Sequence, residues 1–148
     1  MLGRSYEGQN CSAARTLELV GERWSLLILR DALLRGYTRF SQFQRSLRVA
    51  PNILATRLER FVAAGLLQVE GGNYVVTDKG RDLQPVLLAL TAWGDRWAAP
   101  DGPPVVYQHD HCGGRISQHV ECGQCGTVAA TTGIVAKPGP GARAARLG

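Results

Sequence analysis

Apolar positions in the first hundred residues recur mostly at helical spacing and once change to alternation. In CSAARTLELVGERW, Leu17 and Val20 lie three apart, which predicts a first helix capped by Asn10 or Ser12 and ended or bent at Gly21. WSLLILRDALLRG places Trp24, Leu27, Ile28 and Leu34 on a second helical stripe, with Gly36 as its stop. TRFSQFQRSL predicts a short third helix that turns Phe40, Phe43 and Leu47 inward. APNILATRLERFVAAG predicts a fourth, with Pro51 in its first turn and Gly65 at its end. Steps of about 100° per residue gather Leu54, Leu58, Phe61 and Val62 in one apolar arc. Asn52, Thr56 and Arg60 share the opposite side, with Arg57 on the flank.

The period changes in LLQVEGGNYVVT. Leu67 and Val69 alternate with polar residues, Gly71–Gly72–Asn73 make a turn, and Tyr74 to Thr77 run back, which predicts a short β-hairpin. One long helix is expected from Asp78 to about Ala98. Leu83, Val86, Leu87, Leu90, Trp93, Gly94 and Trp97 form its apolar stripe, and Pro85 either kinks it or marks its true first turn. Residues 100–104, PDGPP, read as a linker. A cysteine-rich segment occupies 105–128, and the apolar-poor stretch 129–148 is expected to be a mobile tail.

Composition narrows the function classes. The 148 residues allow one domain with its own core, here 1–99, plus an appendage. No apolar run approaches a membrane span, and MLGRSYEGQN lacks the apolar core of a secretory signal, so a cytoplasmic protein with no membrane partner is expected. Reduced thiols in that compartment favour metal binding or redox sensing over structural disulfides. The net charge of +5 is unevenly spread: between residues 35 and 60 lie Arg35, Arg39, Arg45, Arg48, Arg57 and Arg60, opposed only by Glu59. Such a block admits double-stranded DNA as partner.

Three short helices, a helix with a polar outward face and a tight hairpin follow the winged helix-turn-helix order. The expected fold class is therefore mainly α with a small β-hairpin, followed by a short zinc-ribbon-like C-terminal extension. In that arrangement the helix at 51–64 enters the major groove and the helix at 39–47 lies across its entrance. Arg39, Ser41, Gln44 and Arg45 then suit phosphates, and Asn52, Thr56, Arg57 and Arg60 suit bases or phosphates. The competing reading is an ordinary helical bundle with a solvated helix.

CSAARTLELVGERWSLLILRDALLRGYTRFSQFQRSL, APNILATRLERFVAAGLL and YVVTDKGRDLQPVLLALTAWG resemble the HxlR-type winged-helix transcriptional regulators of bacteria and archaea, relatives of the MarR group. The resemblance covers roughly residues 11–97. It implies a homodimer on a pseudo-palindromic operator, with the first and last helices of the domain at the dimer interface. The stripe of Leu83, Leu87, Leu90, Trp93 and Trp97 supports such an interface independently, because so small a domain can hardly bury both tryptophans alone. The wing, VEGGNYV, departs from the family in being short and slightly acidic, which leaves it few phosphate contacts and ranks Asn73 low among DNA contacts. Several members of the family hold a cysteine before the first helix and use it to sense quinones, aldehydes or oxidants. Cys11 matches that position, and its alternative is an inert cysteine packed against the partner. A small-molecule effector stays open and unidentified.

HDHCGGRISQHVECGQC, residues 109–125, holds three of the four cysteines. His109-x-x-Cys112 and Cys122-x-x-Cys125 are two halves separated by nine residues, a compact zinc-ribbon spacing with one histidine and three cysteine ligands. His111 is a poorer ligand than His109, and His119 could substitute. A redox pair at Cys122 and Cys125, or simple unliganded thiols, are the alternatives. No phosphate-cradling glycine loop, no nucleophile with a placed base and no paired carboxylates occur, so no enzymatic activity is expected. The rivals to DNA binding are a thiol oxidoreductase using Cys122 and Cys125, and a zinc-ribbon module that contacts protein.

Overall fold

The computed structural model describes residues 5–143. The chain separates into two compact units, Met1–Leu87 and Leu88–Gly148. In the first unit α1 (Ser12–Val20), α2 (Ser25–Leu34), α3 (Phe40–Leu47) and α4 (Pro51–Ala63) precede β1 (Leu67–Glu70) and β2 (Asn73–Val76). Short α5 (Asp78–Arg81) follows, and α6 (Gln84–Trp97) begins there and runs into the second unit.

The core of the first unit is assembled from every one of these helices except α1 and α5 in their middles. Ile28, Leu29 and Ala32 of α2, Phe43 and Leu47 of α3, and Leu54, Leu58 and Phe61 of α4 meet Val20, Val49, Leu66, Leu67 and Leu87. The apolar arc expected of α4 is thus the buried one, with Val62 at its margin. On α2 the inward face is rotated from the expected stripe: Leu29 and Ala32 are buried, whereas Trp24, Leu27 and Leu34 pack at the edge. Cys11, rather than Asn10 or Ser12, occupies the N-cap position of α1.

The hairpin pairs Leu67 with Val76 and Glu70 with Asn73, around the two-residue turn Gly71–Gly72. Tyr74 N donates to Thr38 O at 2.7 Å, which ties the returning strand to the loop between α2 and α3.

The single helix expected from Asp78 onward is interrupted. Thr77 caps α5, its Oγ1 accepting from Gly80 N at 3.1 Å. Pro85 lies in the first turn of α6, where a missing N–H breaks no helical bond. The break lets α5 fold against the end of α4: Thr77 Oγ1 donates to Gly65 O at 2.5 Å and Lys79 Nζ to Ala64 O at 2.7 Å.

In the second unit α6 is followed by little regular structure: two isolated antiparallel bridges, Gln108 with Arg115 and Glu121 with Val128, and a 3-10 turn at Thr131–Gly133. Within 105–128 every residue except Tyr107 is exposed, so this segment has no side-chain core. Of the expected tail 129–148, residues 144–148 lie outside the described residues.

Gly80 is the tightest point of the first unit. A Cβ there would stand 2.2 Å from Leu66 O and 2.9 Å from Val76 Cγ1. Gly80→Ala must push α5 off the base of the hairpin, at a cost of about 1–3 kcal/mol typical of overpacking. Chemical denaturation of the variant should show that loss, and an unchanged midpoint would contradict the close approach.

Candidate nucleic-acid interface

Burial of Leu54, Leu58 and Phe61 sets the rotation of α4 about its axis, so the opposite face is presented outward. Asn52, Thr56 and Glu59 are exposed there, and Ile53 beside them is 37% exposed. Thr56 Oγ1 donates to Asn52 O at 2.9 Å, which leaves the hydroxyl's lone pairs and its methyl group for an outside partner. Ile53 and Glu59 were not singled out by sequence reasoning. Their signal was the same helical phase that marked Asn52 and Thr56.

α3 stands beside this helix, held by a capping arrangement. Gln42 Oε1 accepts from Thr38 N and Arg39 N, both at 3.0 Å. Arg39, Ser41 and Arg45 are exposed, whereas Gln44 is half-buried. Arg48 closes α3 in the left-handed conformation, φ 52°, and is exposed in the turn toward α4. It adds a cation that the phosphate set did not include.

The arginine block is smaller than its sequence suggests, because three of its members are held by carboxylates. Asp31 is fully buried and takes Arg30 Nε at 2.9 Å and a second Arg30 nitrogen at 2.8 Å. Arg35 joins it at 3.4 Å and also donates to Ser46 Oγ at 3.0 Å, so a polar chain links α2 to α3. Arg57 and Arg60 both bind Glu22, in the α1–α2 connection; Arg60 Nη1 reaches Glu22 Oε1 at 2.5 Å. Arg60 Nη2 also points to Glu18 O at 3.5 Å. Arg57 and Arg60, expected to meet bases or phosphates, thus both have their guanidinium groups paired with a carboxylate of the same chain. The remaining members of the block, Arg39, Arg45 and Arg48, are exposed on and around α3.

On α6 the apolar stripe divides. Leu87 is 3% exposed and sits in the protomer's core, whereas Leu83 is half-buried and packs against that core. Val86, Leu90, Trp93 and Trp97 are exposed, the two tryptophans at 64% and 65%. On α1, Leu17 and Leu19 are also exposed.

All four cysteines are exposed and none is in a disulfide. At the start of α1 the backbone amides of Ala14 and Ala13 hold the Cys11 thiol below its usual range, with Arg15 adding a smaller pull. Cys125 is lowered to about 7 by the hydroxyl and backbone amide of Thr127 and by the Cys122 side chain. His109 Nδ1 and Cys112 Sγ are 3.3 Å apart. The expected metal ligands are thus brought together as two pairs. Among the described residues no three His, Cys, Asp or Glu side chains surround a point where one ion could sit.

Removing the carboxylate that holds α4's arginines should weaken the fold. Glu22→Ala removes the carboxylate partner of two partly buried guanidinium groups and is expected to cost about 1–2 kcal/mol in denaturant unfolding. Wild-type stability in this variant would show that Arg57 and Arg60 do not depend on Glu22.

Comparison with known proteins agrees with this geometry. Residues 19–102 match the family described as HxlR-like helix-turn-helix. An uncharacterised HTH-type transcriptional regulator of Mycobacterium tuberculosis is 38% identical over 97% of this chain and 94% of its own length. The crystal structure of PA1607, a candidate transcription factor, superposes with a TM-score of 0.78 at 38% identity, covering 88% of this chain and 96% of that one. The quinone-bound YodB of Bacillus subtilis has a TM-score of 0.52 at 28% identity and covers 59% of this chain and 100% of its own. The first two alignments therefore extend past the DNA-binding unit, and the YodB alignment leaves about two fifths of this chain unmatched. No helix among the described residues is long and apolar enough to cross a membrane. With more than half of its length matched, and α3, α4 and the hairpin in the order the fold requires, this chain belongs to the HxlR-like helix-turn-helix family of transcriptional regulators.

Proposed function

We propose that the protein is a homodimeric regulator that reads a pseudo-palindromic operator with α4 in the major groove and α3 against the phosphates. The observation that carries this reading is the outward face of α4, where Asn52 and Thr56 stand exposed, together with the exposed cations Arg39, Arg45 and Arg48 on and around α3, which packs against α4. An amide at Asn52 suits the donor–acceptor edge of adenine, and Ile53 and the Thr56 methyl suit a thymine methyl. Ser41 and Gln44 complete the phosphate-facing set on α3. The short wing carries exposed Gln68, Val69 and Glu70, which offers phosphate no cation. Arg57 and Arg60 hold α4 in place and act on DNA through its position.

The exposed Leu90, Trp93 and Trp97 pair with a second copy of the chain. So large an unpartnered apolar stripe is characteristic of an interaction surface, and a two-fold pair repeats the reading helix about one turn of DNA away. Cys11 supplies an electrophile- or oxidant-responsive group. Its exposure, its lowered pKa and the quinone-bound state of YodB support that reading.

Three measurements test this. Binding to operator DNA should weaken steeply with salt, and Arg45→Ala should reduce the slope of log K against log salt by about 1. A flat salt response would remove the phosphate contacts. Trp93→Glu combined with Trp97→Glu should turn a dimer into a monomer in sedimentation, and a dimer that survives would place the interface elsewhere. Mass spectrometry after brief quinone treatment should find Cys11 modified and operator affinity changed; an unmodified Cys11 would end its role as a sensor.

A further inference from the structure

The segment after the linker contains a repeat that its side chains conceal. His109 N donates to Gly114 O at 2.7 Å, Gly113 N to His109 O at 2.8 Å, and Ile116 N to Tyr107 O at 2.9 Å. Thirteen residues later, Cys122 N donates to Thr127 O at 3.0 Å, Gly126 N to Cys122 O at 2.9 Å, and Ala129 N to Val120 O at 2.8 Å. The bridges Gln108–Arg115 and Glu121–Val128 obey the same offset. So does the left-handed glycine after the second donor, with φ 70° at Gly113 and 68° at Gly126. In the first turn an amide is also aimed at sulfur: Gly114 N donates to Cys112 Sγ at 3.4 Å. Two copies of one turn thus each present a pair of donors, His109 with Cys112 and Cys122 with Cys125.

We propose that these two turns close on a single four-coordinate Zn2+ held by His109, Cys112, Cys122 and Cys125. The donor chemistry is selective: three thiolates and an imidazole suit zinc and are poor ligands for magnesium or calcium. Amides directed at sulfur stabilise the thiolate form, and the left-handed glycines make the sharp turn that directs them there. The need is evident in the burial pattern, since 105–128 has almost no buried side chain to hold it together. Metal binding would supply that folding energy. Among the described residues the two pairs do not share an ion position in this structure, so closure of the site requires the two turns to approach each other. On binding, the cysteine thiols lose their protons to solvent and no electron is transferred. Four protein ligands leave no open position, so the role is structural. His111 and His119 have no equivalent in the repeat and are excluded from the site.

Metal content and thiol reactivity of the full chain, purified without a metal-affinity column, test this without reference to DNA. About one zinc per chain is expected, with Cys11 alone reacting promptly with a thiol reagent and the other three released by a chelator. Cobalt added to the zinc-stripped protein should give the visible bands of a tetrahedral thiolate site. His109→Ala and Cys122→Ser should lose the ion while the helical melting transition of the chain persists; His111→Ala and His119→Ala should keep it. No metal, with four thiols titrating together, would overturn the proposal, as would a disulfide between Cys122 and Cys125 in protein kept under reducing conditions. Metal retained in His109→Ala but lost in His119→Ala would overturn the ligand assignment.

Discussion

The rotation of α4 about its own axis is the constraint on which the rest depends. Leu54, Leu58 and Phe61 are each essentially removed from solvent. Burying such side chains is worth about 1.5–3 kcal/mol apiece. A half-turn of α4, two residues at about 100° each, would exchange them for Asn52, Thr56 and Glu59 and forfeit most of that gain. The outward face is therefore a consequence of the inward one. Phe43 of α3, Ile28 and Leu29 of α2 and Leu67 of β1 pack into the same core, so the two helices of the reading motif and the base of the hairpin are placed by one set of contacts.

Polar interactions refine this placement. Glu22 gathers Arg57 and Arg60 from α4, and buried Asp31 gathers Arg30 and Arg35, the latter reaching Ser46 on α3. Both carboxylates lie where the protein holds cations close to the reading helices. Their effect on the surface is to reduce the electropositive block to Arg39, Arg45 and Arg48, a narrower patch grouped around α3. Cations confined to that side suit one phosphate strand, and leave the face with Asn52 and Thr56 to read bases.

Much of this was legible in the residue pattern. The helical phase of Leu54, Leu58 and Phe61 was strong because three large apolar residues and a proline at the first turn agree, and the hairpin was marked by Gly71–Gly72 between alternating strands. What was hidden depends on tertiary partners. The helix break after Arg81 follows from the approach of Gly80 to Leu66 O, across fourteen residues of chain, and a glycine inside a helical pattern does not announce such a contact. Arg57 and Arg60 looked outward by phase alone, since their partner Glu22 lies far away in sequence. Leu87 belonged to the apolar stripe, and only its neighbours decide that it faces the core. The duplicated turns are hidden in the sequence because the repeat lives in backbone hydrogen bonds: histidine replaces cysteine and glycine replaces threonine at matching positions.

The central claim is that α4, paired with a second copy of itself, reads DNA through its outward face. Selection of binding sequences from a random DNA pool, with the full chain and with Asn52→Ala in parallel, tests it most directly. The account predicts recovered sites with two symmetric half-sites about 10 base pairs apart, and a changed base preference at one position of each half-site in the variant. Recovery of no enriched sequence, or of an identical preference in both proteins, would contradict it.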